Sequence, residues 1–343
     1  MTMRLLLLFV LLLAGESLFA KAAKEQNGAV VFMYHRFGES RYPSTNIKME
    51  QFAFQLEYLK EHHYNVWPLS KIVRTLKAGN SLPPKTVALT MDDAYKSVYT
   101  RAFALLKKYR FPFTVFVNTK PVDKHYGAFM TWNQMREMRE YGAEFGNHTM
   151  THPSFVSFLP LGHAKMKEAI TKELQGAEKR LHKELGSAYV KIVAYPFGEY
   201  TNEIRNIVKG LGYDACAQMG GVLNSQTDLV EIPRFPMSER FATKKGFVLK
   251  LRTKALPLAE MPREDHIVSK NPPHLVLHLK KHMGNIGCFV SSGERASMQW
   301  IDATHLRIEA KSSLKPPRDH YTCTAPDRDG RWQWYSFFWV FPK

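Results

Sequence analysis

The sequence predicts an α/β protein with a mostly parallel sheet or barrel, followed by a small β-sandwich-like module. Three observations support this. From residue 29 to about residue 240, short apolar runs alternate with amphipathic stretches of helical period. Near residue 250 that alternation stops at a proline-rich connector, "PLAEMPREDHIVSKNPP". Beyond it no helical period recurs, and apolar residues alternate in runs such as "HLVLHLK" and "HYTCTAP".

The elements follow in order. The chain opens on "MTMRLLLLFVLLLAGESLFAKAA", with one early arginine and an apolar run too short for a bilayer span. Ala20 and Ala22 fit a small-residue cleavage pattern, so residues 1–22 read as a signal peptide and the mature chain as exported, periplasmic or secreted. "AVVFMY" (29–34) reads as the first strand. In "MEQFAFQLEYLKEH" (49–62), Phe52, Leu56 and Leu59 share one helical face. "TVALT" is the next strand, and a helix follows around 96–109 with Ala102, Leu105, Leu106 and Tyr109 on one side. "FTVFVN" (113–118) is a strand, then "WNQMREMREYG" a helix ending at Gly142, then a short "AEFGN". A long amphipathic helix covers about 163–185, striped by Met166, Ile170, Leu174, Ala177 and Leu181. "VKIVAY" (190–195) is a strand, "NEIRNIVKGLG" a helix, and "DACAQM" and "LVEIPRF" are strand-like. The expected division is 23–250 for the α/β domain, 251–264 for a linker and 265–343 for the small β domain. There the aromatic run "RWQWYSFFWVF" reads first as a core strand and second as a sugar-stacking platform.

Apolar content of 45% is enough for a real core in a chain of 343 residues. Export permits disulfides, and of three cysteines Cys288 and Cys323 fall together in the β region, which leaves Cys216 as a buried free thiol. The 48 Lys and Arg outnumber the 31 Asp and Glu, a net charge of +17. Attraction to an anionic envelope surface and plain solubility both account for that excess. Nucleic acid fits poorly, because the charges are scattered and no binding motif accompanies them. Oligomeric state is not legible.

Chemistry gathers at five places. "TMDDAY" sets Asp92 and Asp93 side by side after a strand, where an N-cap is the plainer reading. "EFGNHTMTHP" spaces His148 and His152 four apart, enough for two imidazoles to face one metal ion. That spacing recurs at His274, His278 and His282, so alone it is weak. An aspartate at an earlier strand end strengthens it, since two imidazoles and a carboxylate leave positions open for water and substrate. "AYPFG" forms a turn around Pro196, Phe197 and Gly198 that can aim a backbone N–H at an oxyanion. "MYH" puts His35 after the first strand, and "IPRF" puts Arg234 after another. All five lie at expected C-terminal ends of strands, the face where parallel sheets and barrels assemble their sites.

In this order and spacing, "TMDDAY", "HTMTH" and "AYPFG" resemble the NodB-homology polysaccharide deacetylases over about residues 29–240. The resemblance implies a distorted (β/α) barrel and a divalent metal, most plausibly Zn2+, on Asp93, His148 and His152. It makes Asp92 the general base. The family's usual glycine after the two aspartates is Ala94 here, which argues against a positive φ at that turn. Its usual arginine in the third motif is Ala194, so Arg234 is the substitute expected to orient Asp92. "FMYHR" and "IPRFPMSERF" resemble the circularly permuted, exported poly-N-acetylglucosamine deacetylases, which favours His35 over His278 as the acid. The implied reaction removes N-acetyl groups from an envelope or extracellular polysaccharide. Asp92 is its base, His35 its acid, and the Phe197 N–H an oxyanion donor. Two other functions stay open: a silent carbohydrate-binding barrel and a basic protein that binds envelope polyanions.

Overall fold

The computed structural model describes residues 28–342, so the expected signal peptide lies outside the described residues. Eight strands form the main sheet: β1 (Ala29–Tyr34), β2 (Asn65–Val66), β3 (Thr86–Met91), β4 (Phe113–Val117), β5 (Ala143–Asn147), β6 (Tyr189–Ala194), β7 (Asp214–Cys216) and β8 (Phe235–Pro236). They run β8-β1-β3-β4-β5-β6-β7, with β2 beside β3, and every pairing is parallel. β1, β3, β4 and β5 are buried at every position, as strands must be when helices cover one side and side chains fill the other. The sheet curls into the distorted barrel the motifs imply. Residues 232–236 span its gap: Ile232 bridges Cys216 of β7, and Phe235 pairs with Phe32 of β1.

The strongest periodic signals become helices where expected. Met49–Glu61 buries Phe52, Leu56 and Leu59, and His163–Leu185 buries the whole predicted stripe from Met166 to Leu181. The helix around 96–109 differs, because it opens with a π-helical turn, Val98–Ala102, before the α-helix Phe103–Tyr109. Two further helices, Leu69–Lys77 and Lys244–Leu251, lie outside the expected set, although Leu69, Ile72, Val73 and Leu76 of the first stand at helical spacing. The first starts behind Pro68 without a side-chain cap, and the second runs its apolar residues together without a stripe. "LVEIPRF" is not one strand, and Arg234 precedes β8 where the sequence suggested it would follow a strand. Pro233 explains the break, since it has no N–H to give a ladder.

After the barrel come β9 (Lys254–Ala255), β10 (Leu258–Glu260), β11 (His274–Leu279), β12 (Gly287–Val290), β13 (Ser297–Trp300), β14 (His305–Glu309), β15 (Arg318–Pro326) and β16 (Trp332–Val340). They make two four-stranded sheets, β9-β16-β15-β12 and β10-β11-β14-β13. β9 and β10 fall inside the stretch expected as linker. One core joins the sheets, with Leu275, Leu277, Leu306 and Ile308 from one and Tyr321, Phe337 and Trp339 from the other. Cys288 and Cys323, directly opposite on β12 and β15, form the disulfide, and Cys216 is free and buried. β16 is buried on both faces near its end. Phe337 and Trp339 enter the sandwich core, while Phe338 and Val340 pack with Tyr200 and Val230 of the barrel. Among the described residues, no helix is long and apolar enough to cross a membrane.

Candidate active site

Asp92 and Asp93 follow β3 directly, and helical residues begin only at Lys96, behind the turn and Tyr95. The capping role for the aspartates therefore falls away. A strand alternates its side chains, so two adjacent residues reach one site only where the chain bends. That bend is present: Asp93 has φ 70° and Ala94 φ 55°. The expectation that alanine removes the positive φ is thus wrong. The conformation persists, and Ala94, fully buried, is held in it by its surroundings.

His148 follows β5 directly, and its Nδ1–H donates to the Ala194 carbonyl at the end of β6, 2.8 Å away. That bond turns its Nε2 toward the barrel axis. Thr149 and His152 both have positive φ, 68° and 60°, and the Thr149 hydroxyl accepts the His152 N–H at 2.8 Å. The resulting turn returns His152 Nε2 to within 3.0 Å of His148 Nε2. Asp93 Oδ1 lies 3.4 Å from the first Nε2 and 3.5 Å from the second. A four-coordinate ion with bonds of about 2.0–2.1 Å needs ligand atoms about 3.3 Å apart. The three side chains fit a small divalent cation on that measure, and they are the one such cluster among the described residues.

The electrostatics agree. Burial works against the charge of Asp93, yet the neighbouring imidazoles hold its carboxyl far below the usual range. Burial, then His148, lowers His152 to about 4, so its ring is neutral near pH 7 and its lone pair is available. Burial also opposes a charge on His148, but Asp93 and Asp92 outweigh it and raise that ring. The carboxylates of this site seek positive charge.

Asp92 faces a different partner. Arg234, with no exposed surface, grips it through two parallel bonds, Nη1 to Oδ1 at 2.7 Å and Nη2 to Oδ2 at 2.8 Å. Arg234 is itself fixed, with Nε donating to the Ala217 carbonyl and Nη1 to the Thr90 hydroxyl. Burial alone would raise the Asp92 carboxyl, and the guanidinium more than compensates and holds it ionised.

His35 follows β1 and lines the same cavity as both aspartates and both histidines, a space of about 430 Å³. Burial lowers its pKa, against the upward pull of Asp92 and Asp93. His278 is elsewhere. It sits on β11, 3.3 Å from Glu260 and stacked on His305. Phe197 reaches the cavity from the turn after β6, with φ 59° and a ring packed edge-on against His152 at 4.7 Å. Gly198 beside it is obligatory, since a Cβ there would lie 2.2 Å from that of Gln218.

Sequence reasoning missed several wall residues, Asn118, Tyr95 and Arg318 among them. Asn118 ends the "FTVFVN" run at the rim, buried, with its Oδ1 unpartnered among the described residues, and its place after β4 was the available signal. Tyr95 follows the aspartates and carries the Arg36 guanidinium 3.5 Å over its ring. Arg318 arrives from β15 of the C-terminal sheet, and no local pattern connects it to the barrel.

Comparison with known proteins agrees with this geometry. A family described as polysaccharide deacetylase matches residues 79–216. A poly-beta-1,6-N-acetyl-D-glucosamine N-deacetylase of Staphylococcus aureus is 26% identical over 240 residues, covering 64% of this chain and 82% of that protein. The Escherichia coli protein of the same name is 27% identical over 263 residues, 64% of this chain but only 38% of the relative. Among solved structures, IcaB from Ammonifex degensii superposes with a TM-score of 0.55 at 28% identity, over 65% of this chain and 94% of its own. A Streptococcus pyogenes deacetylase, PplD, shares the fold with a TM-score of 0.59 at 23% identity, over 66% of this chain and 99% of its own. The segment carrying both aspartates and both histidines, set on its parallel strands, is thus the part of the chain that matches the polysaccharide deacetylase family.

Proposed function

We propose that this chain hydrolyses the N-acetyl groups of an exported polysaccharide of the poly-β-1,6-N-acetylglucosamine type. The observation that carries the proposal is the division of labour between adjacent carboxylates. Asp93 closes a three-ligand cluster with His148 and His152, while Asp92 is locked by Arg234 in the same cavity. A divalent ion on the three ligands, for which we propose zinc because two imidazoles and a carboxylate are a donor set it favours, would supply Lewis-acid polarisation and an acidified water.

The chain's own residues supply the rest. Asp92, kept ionised by Arg234, is the base that takes a proton from the attacking water. Both its oxygens are pinned, so it neither rotates nor swings away. His35 gives a proton to the departing sugar nitrogen. Its depressed pKa makes a proton once bound there easy to release. The Phe197 N–H, in its left-handed turn, is the donor assigned to the oxyanion. The leader-like first 22 residues support export.

The test is acetate release from β-1,6-linked N-acetylglucosamine oligomers, with chelator and with zinc restored. Release that chelator stops and zinc revives is expected. Salt-sensitive binding to anionic polymers with no acetate under any divalent ion would overturn the reading in favour of a polyanion-binding protein.

A further inference from the structure

Beside the 430 Å³ cavity lies a second of about 370 Å³, within the size range of small-molecule sites of about 300–1,000 Å³. The two have Phe197, Gly198, Gln218, Pro236 and Arg318 in common among their lining residues, so they adjoin. Its far side belongs to the C-terminal sheet. On β15, Arg318, His320 and Thr322 point one way, while Tyr321 and Cys323 enter the sandwich core. On β16, Trp334, Ser336 and Phe338 share that outward face.

This face changes character along its length. Where it meets the barrel it is apolar, with Phe338 and Val340 in the barrel's cluster. Where it borders the cavity it turns to hydroxyls, an imidazole, a guanidinium and an indole. A sheet face that only had to pack on the barrel would stay apolar throughout. The Thr322 and Ser336 hydroxyls lie 3.0 Å apart, and the Trp334 Nε1–H donates to Ser336 at 2.9 Å, which fixes the indole. Opposite, from the barrel, Phe241 is 47% exposed, and the same holds for Phe197 on the shared wall. Aromatic rings interleaved with hydroxyl and cationic donors match a pyranose, which has apolar C–H faces and a hydroxyl rim.

We propose that this second cavity is a subsite for the sugar unit next to the one being deacetylated, and that the C-terminal sandwich contributes it. The proposal rests on the deacetylase reading for the polymer it names. A linear chain entering the catalytic cavity must extend beyond it, and the aromatic cavity is its neighbour across Arg318 and Phe197. Extended chains then gain contacts that short ones lack. The sandwich thereby sets chain-length preference without touching the reacting atoms.

The experiment compares kcat/KM on β-1,6-linked N-acetylglucosamine oligomers of two and six units. For the native chain, the hexamer is expected to exceed the dimer by at least about tenfold. Phe241→Ala, His320→Ala and Trp334→Leu should each cut that hexamer-to-dimer ratio at least fivefold, mainly through KM. Trp334 also packs edge-on against Phe235, so the exposed Phe241 variant keeps the test valid if Trp334→Leu fails to fold. Tryptophan fluorescence of chelated protein titrated with hexamer gives a second readout independent of turnover. Should no oligomer release acetate, the deacetylase reading fails while this titration still judges the subsite. A ratio unchanged within twofold in all folded variants, or no gain from dimer to hexamer, overturns the proposal.

Discussion

The barrel rim and the C-terminal sandwich hold their residues in opposite ways. Nine non-glycine residues among those described have positive φ, and five of them, Asp93, Ala94, Thr149, His152 and Phe197, stand at the rim. In the sandwich, positive φ belongs to glycines, Gly293 and Gly330. The rim also buries ionisable groups, in Asp92, Asp93, His148 and Arg234. The sandwich instead buries alternate apolar residues and a disulfide. The rim keeps an arrangement that neither local backbone preference nor hydrophobicity favours. The contrast teaches that the site is maintained by the rest of the fold.

The sharpest break should come at Asp93. Asp93→Ala removes one of three ligands and is expected to lower acetate release at least about a thousandfold while the chain remains folded. Zinc content after dialysis, together with kcat, checks this. Next is Arg234→Met, which leaves Asp92 charged and buried alone. A loss of about 3–5 kcal/mol in urea unfolding is expected, and adding Asp92→Leu should recover part of it. In the sandwich, replacing Cys288 and Cys323 by serine opens a loop of sequence separation 35 and should cost about 2–4 kcal/mol, with activity on short oligomers kept in whatever fraction stays folded.

A pH effect tests the seam between the regions. Burial lowers His266 to about 4 from an ordinary 6.5, and its Nδ1 meets the Phe338 carbonyl at 2.8 Å. Between those values the unfolded chain binds the extra proton. The stability His266 contributes is therefore complete above pH 6.5 and is lost as pH falls toward 4. His266→Phe should flatten the urea midpoint across that window. The smallest effect belongs to Ala94→Gly, which relieves a left-handed alanine and should raise stability by up to about 1 kcal/mol. A destabilised Ala94→Gly would show that the turn at the aspartates is relaxed and that the contrast is overdrawn there.

Much of this was legible in the sequence. Asp92, Asp93 and His35 could be found because each comes at the end of a strand whose apolar run is plain, and His148 and His152 because of their four-residue spacing after the short "AEFGN". Arg234 was found for its chemistry although its strand was misjudged, since Pro233 and Pro236 break the pattern on either side. The positive φ at Ala94 was not legible, because alanine carries no preference that reveals it. Arg318 was hidden for a different reason. It is separated from Asp93 by more than two hundred residues and meets the cavity only because β15 docks against the barrel. Local periodicity has no knowledge of docking.

Because β16 serves as a wall for two cores at once, the halves of this protein share a keystone. Phe338 and Val340 seal the barrel from behind while Phe337 and Trp339, one residue away each, hold the sandwich together. Cutting the last fifteen residues would therefore uncover grease on both halves. Heating the intact molecule should melt both together, as one event.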